Sequence, residues 1–141
     1  MIRVTENLTR VRRELENAAE LASRNPDEIT LIAVSKRHSV DAIRRAADAG
    51  QRHFGENFVA EGVSKIQTLT DLPLIWHFIG AIQSNKTRAI ATHFDWVHTV
   101  DRIKIARRLS EQRPDALPPL QICLQINIDD EPQKAGVGVE D

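Results

Sequence analysis

Apolar and polar positions along this chain alternate between a helical and a strand rhythm. Val4, Leu8, Val11, Leu15, Ala18 and Ala22 recur at steps of four and three, which predicts an amphipathic helix. The segment "RNPDE" (24–28) ends it, because Pro26 biases Asn25 away from helical backbone. "EITLIAVS" is then continuously apolar rather than alternating, the pattern of a buried strand. Ser39 is suited to cap the helix "SVDAIRRAADAG", and Gly50 falls where a left-handed residue closes it. The same phrase then repeats. "QRHFGEN" reads as a short strand, with a helix from about Glu56 to Leu69. "LIWHFIG" (74–80) is a strand, and Ser84 can cap "SNKTRAIATHF". "FDWVHTV" (94–100) is a strand, and Asp101 can cap "DRIKIARRLSEQR", which Pro114 closes. "LQICLQIN" (120–127) is the fifth strand.

Five strands alternating with four helices, after one extra helix, predict an α/β fold with a parallel sheet and crossover helices. Neither a G-x-G-x-x-G run after a strand nor a phosphate-binding P-loop is present. Polar residues gather after the strands: Lys36, Asn57, Gln83 to Lys86, Thr99 with Asp101, and Asn127. A (β/α) TIM barrel carries its function on that face, but such a barrel runs to roughly 250 residues. The pattern alone fits either a complete open sheet or a barrel missing its last third.

Composition narrows the classes. In 141 residues, 19 Lys and Arg against 20 Asp and Glu leave a net charge of −1, so nucleic acid is not an expected partner. No stretch of 18 apolar residues and no apolar signal core occurs, so no membrane partner is expected and the location reads as cytoplasmic. The lone Cys123 excludes an internal disulfide and should be packed and inert in the fifth strand. The five histidines show no metal-ligand spacing, so no metal is expected. Arg12–Arg13, Arg44–Arg45 and Arg107–Arg108 read as solvated helix faces, and Trp76 and Trp96 as core or barrel-to-helix packing.

"LIAVSK", "AGQRHFGENFVAEGVSKI", "WHFIGAIQSNK", "FDWVHTVDR" and "LQINIDDEPQKAGV", in that order, resemble successive blocks of the pyridoxal-phosphate homeostasis protein family. Members of that family are similar to the N-terminal barrel of alanine racemase. The resemblance implies a TIM barrel of the alanine racemase N-terminal type, incomplete here, with residues 1–141 forming a single pyridoxal-phosphate-binding domain truncated at its C-terminal side. It places Lys36 where the family forms a Schiff base with pyridoxal 5′-phosphate. Ala81 stands where the family usually has proline, and Phe58 where tyrosine is common. The family's serine- and glycine-rich phosphate cradle comes later than the fifth strand.

An aldehyde is captured by a neutral amine, and an ordinary lysine is almost fully protonated at neutral pH. Desolvation or a neighbouring cation favours the neutral form. Alternation puts Ile32, Val34 and Lys36 on one side of the first strand, so Lys36 is expected in a partly dry hollow above two aliphatic layers. A lysine at a strand end is also commonly just solvated. Asn57 suits a hydrogen bond to the cofactor's ring hydroxyl or to a carboxylate, or simply a turn. His77 suits the barrel lumen, or a satisfied core position. Ser84 suits an anion at a helix start, or a plain cap. Lys134 suits a second amine or a phosphate contact, or a solvated loop.

The resemblance, set beside these residues, implies three functions to choose between. The first is a non-catalytic binder of pyridoxal phosphate serving vitamin B6 homeostasis. The second is a racemase-like enzyme, disfavoured because such chemistry pairs the lysine with a tyrosine and this chain has none. The third is a fragment that holds the cofactor poorly. Two open sheet edges predict self-association.

Overall fold

The computed structural model describes residues 3–141. Helix α1 spans Val4–Leu21, and a short 3-10 turn covers Pro26–Glu28. Strand β1 (Ala33–Val34) leads to α2 (Val40–Asp48), β2 (His53–Glu56) to α3 (Val59–Thr68), and β3 (Ile75–Phe78) to α4 (Thr87–His93). Strand β4 (Trp96–Val100) leads to α5 (Ile103–Gln112), and β5 is Gln121–Leu124. All neighbours pair in parallel in the order β1-β2-β3-β4-β5, so the predicted parallel α/β sheet is observed. Chain order equals spatial order because each crossover helix returns the chain to the adjacent position.

The core lies between the sheet and its helices. Phe54, Trp76, Phe78 and Val97 leave the strands on that face and meet Ile43, Ile90, Phe94, Ile105 and Leu109. The Phe78 and Phe94 rings meet edge-on, with centroids 5.2 Å apart. Ser39 caps α2 by accepting from the Ala42 N–H, and Gly50 adopts φ +96°, both as the sequence predicts.

Other local expectations are corrected. The α3 helix starts at Val59, because Glu56 is still paired in β2. Ser84 does not cap α4; it opens a 3-10 turn, Ser84–Lys86, that precedes the helix. Asp101 does not cap α5 either, since its carboxylate turns away to accept from the Gly136 N–H at 3.0 Å. Of the predicted first strand only Ala33 and Val34 form β1, with one further backbone bond at Ser35, and Val34 is 49% exposed rather than buried, because β1 is a sheet edge. Cys123 is only half-buried for the same reason on β5. In each arginine pair one member is tied down: Arg12 donates to the Ala49 carbonyl, Arg44 to Asp71 and Arg108 to the Ser84 carbonyl. Only their neighbours Arg13, Arg45 and Arg107 are exposed.

Candidate functional site

The strand ends bring the first two candidates onto adjacent chains. Val34 of β1 is paired with Gly55 of β2, so Lys36 and Asn57 each follow that pair by the same two steps. Ser35 continues the ladder by donating its N–H to the Gly55 carbonyl at 2.9 Å. Gly80, at the end of β3, passes so close that a Cβ there would lie 2.3 Å from the Asn57 carbonyl oxygen, which only glycine permits. The Asn57 side-chain Oδ1 is buried and has no hydrogen-bond partner. An unpaired buried acceptor of this kind is uncommon in folded proteins.

Lys36 is exposed, which corrects the expectation of a partly dry hollow. The reason is geometric: Ile32 packs toward Gly55 and Ile79, but five strands leave the face opposite them open. Between Gly55 and Trp96 in register lies His77, 3% exposed. It is the centre of a chain of three imidazoles. His53 Nδ1 lies 2.9 Å from His77 Nε2, and His77 Nδ1 lies 2.8 Å from His98 Nε2. The Trp96 ring stacks on His77 at 5.7 Å between centroids, so this tryptophan lines the inner face and does not pack against a helix. Burial, and then the nearness of His98 and His53, lowers the His77 pKa to about 4. Burial also lowers that of His98. His77 is therefore neutral at pH 7, one ring nitrogen donating and the other accepting.

Ser84 and Lys134 are not gathered with these residues. The Ser84 carbonyl is held by Thr87 Oγ1 at 3.0 Å and Arg108 Nε at 3.1 Å, while its hydroxyl has no recorded bond among the described residues. Lys134 is exposed beyond β5, at the far edge of the sheet from Lys36, and pairs with Glu131 at 2.7 Å. Among the described residues no group of three or more histidine, cysteine or acidic side chains is arranged to hold a metal ion, and no helix is long and apolar enough to cross a membrane.

One cluster escaped the sequence reading. Glu56 is fully buried and Lys65 is 7% exposed, and their charged groups meet at 3.0 Å. The Ser35 hydroxyl donates to the same Glu56 carboxylate. The available signal was periodicity: Lys65 stands three residues after Gly62 and four before Leu69, on the apolar stripe of α3.

The alanine racemase N-terminal domain family matches residues 7–141. The chain belongs to that family. It is 54% identical over 141 residues to the pyridoxal phosphate homeostasis protein of Pseudomonas aeruginosa, covering all of this chain and 61% of that one. It is also 54% identical over 137 residues to the protein of the same name from Escherichia coli K12, covering 95% of this chain and 58% of the other. Among solved structures it is similar to PipY of Synechococcus elongatus PCC7942 with PLP bound. That match has 46% identity, a TM-score of 0.72, and covers 87% of this chain and 57% of PipY. The chain thus spans about three fifths of the length of these relatives. The incomplete barrel predicted from the sequence is what the five parallel strands and this family describe.

Proposed function

We propose that this chain is the N-terminal part of a non-catalytic pyridoxal 5′-phosphate-binding protein that serves vitamin B6 homeostasis. In this reading the cofactor is held as a Schiff base on Lys36. The observation that carries the proposal is the likeness to PipY, seen with PLP bound, over 87% of the chain. Two features of the residues support it. Lys36 offers a primary amine at a strand end, open to a small aldehyde. Asn57 beside it keeps a buried oxygen without a donor, which a hydroxyl on a bound ring would supply.

The chemistry is a condensation. The Lys36 amine adds to the aldehyde carbon, water leaves, and a carbon–nitrogen double bond remains, hydrolysable in reverse. Asn57 orients the ring, and neutral His77 forms the floor of the site. Ser84 and Lys134 are left out of this site, since neither is gathered with Lys36 and Lys134 stands at the opposite edge of the sheet. Barrels of this type build their phosphate sites after strands seven and eight, and five strands are present here. Each charge-assisted anchor missing from this chain weakens retention by roughly 1.5–3 kcal/mol. Retention by the 141 residues alone is therefore expected to be weak. The free edges at β1 and β5 favour self-association of the chain, and its location is cytoplasmic.

The test is direct. The protein is mixed with pyridoxal phosphate, reduced with borohydride, and the adduct mapped by mass spectrometry. A label concentrated on Lys36 is the expected result. Labelling spread evenly over the lysines, or uptake unchanged in Lys36→Ala, overturns the proposal, and turnover of a chiral amino acid would favour the racemase-like reading.

A further inference from the structure

Lys36 lies between two residues whose backbones are held by one buried amine and its carboxylates. Lys65 Nζ donates to the Ser35 carbonyl at 2.7 Å, to both oxygens of Glu56 at 3.0 and 3.2 Å, and to Glu61 at 3.1 Å. Ser35 is held twice more, by its N–H to Gly55 and by its hydroxyl to Glu56. On the other flank the Arg37 N–H donates to Glu61 at 2.8 Å. Arg37 has φ +64°, the left-handed region that a non-glycine side chain adopts only where its surroundings hold it. That hydrogen bond, more than the ion pair with Lys65, keeps the Glu61 carboxyl below its ordinary range.

A buried ion pair is a poor choice if stability is the only need, since apolar side chains of similar volume often do as well. What an apolar pair cannot do is donate to a backbone carbonyl. All three ammonium protons of Lys65 are used, and they join the end of β1, the end of β2 and the first turns of α3. We propose that Lys65, with Glu56 and Glu61, is a positioning device that fixes residues 35 and 37 and so directs the Lys36 amine toward the aldehyde of pyridoxal phosphate. The inference rests on the reading of Lys36 as the condensing amine. Lys65 itself does not touch the cofactor, because its amine is enclosed by protein acceptors.

The experiment uses the full chain and compares rates of borohydride-trapped labelling within one sample, with exposed Lys86 and Lys104 as internal references. In the unsubstituted protein Lys36 labels faster than both references. In the charge-balanced variant Lys65→Met/Glu56→Leu, the Lys36 rate is expected to fall about tenfold against the references. Amide hydrogen exchange at residues 35–37 should rise by at least as much. Lys65→Arg, which keeps donors to the Ser35 carbonyl, should recover most of the Lys36 rate. Glu61→Ala frees only the Arg37 flank and serves if the double variant does not fold, with about a threefold loss expected. A folded variant that loosens residues 35–37 yet labels Lys36 at the original rate overturns the positioning role. If the unsubstituted protein labels Lys36 no faster than Lys86 and Lys104, it is the proposed function that fails, and this inference fails with it. The starting protein alone tells these two failures apart.

Discussion

Val97 and Ile122 are partners in register on neighbouring strands and face the same side of the sheet, yet Val97 is fully buried and Ile122 is exposed. The helices α4 and α5 cover the first, whereas among the described residues no helix lies over the second. The two lysines at the site differ in the same way. Lys65 is enclosed between α3 and the sheet with three kinds of acceptor, and Lys36 stands in solvent one residue beyond the Ser35 carbonyl that Lys65 holds. Burial in this molecule follows what lies opposite a residue rather than its type. The closed side supplies rigidity, and the open side supplies access.

The largest expected effect breaks the closed side. Lys65→Met leaves Glu56 charged, buried and without a counter-ion, and should cost about 3–5 kcal/mol, read from urea unfolding at neutral pH. A cost below about 1 kcal/mol would mean that the enclosure is looser than the 3.0 Å pair implies. Phe78→Ala comes next or equal: it empties a fully buried ring site against Phe94 and should cost about 3–5 kcal/mol, with the same measurement.

A pH series then probes the inner face. The folded pKa of His77 is lowered from 6.5 to about 4, so between those values the unfolded chain binds more protons than the folded one. Stability from this group is fully present above pH 6.5 and is lost as pH falls to about 4, by roughly 3 kcal/mol in all. His77→Phe should flatten that part of the curve, and an equally steep curve in the variant would remove His77 as its source.

The smallest effect belongs to the open edge. Leu124 is 60% exposed, so Leu124→Ser should change unfolding stability by less than about 0.5 kcal/mol. It should nevertheless lower the sedimenting mass if β5 edges pair between copies. Loss of stability without any change in mass would place Leu124 in an intramolecular contact instead.

The order and direction of the five strands were legible because each follows a helix whose apolar stripe demands a sheet face to cover it. Lys36 and Asn57 were legible as strand-end residues, and the Ser39 cap and the Gly50 turn as local chemistry. Ser84 was misread because the chain inserts a 3-10 turn before α4, and Asp101 because a side chain able to cap a helix can be drawn elsewhere, here to the Gly136 N–H. Of the two alternatives for Trp96, packing against a helix fails, because alternation in a strand gives two faces without naming which one meets the helices. The histidine ladder was out of reach, since His53, His77 and His98 show no common spacing until register aligns three strands.

Local pattern and propensity, then, determined the elements, their parallel order and the strand-end amine, and the resemblance of whole sequence blocks gave the family. Only the tertiary structure decided that Lys65 is buried with Glu56, that His77 is pressed between two other imidazoles, and that Lys36 is open to solvent. The physical reason is that periodicity is a property of one segment, whereas desolvation and ion pairing depend on which other segments close over it.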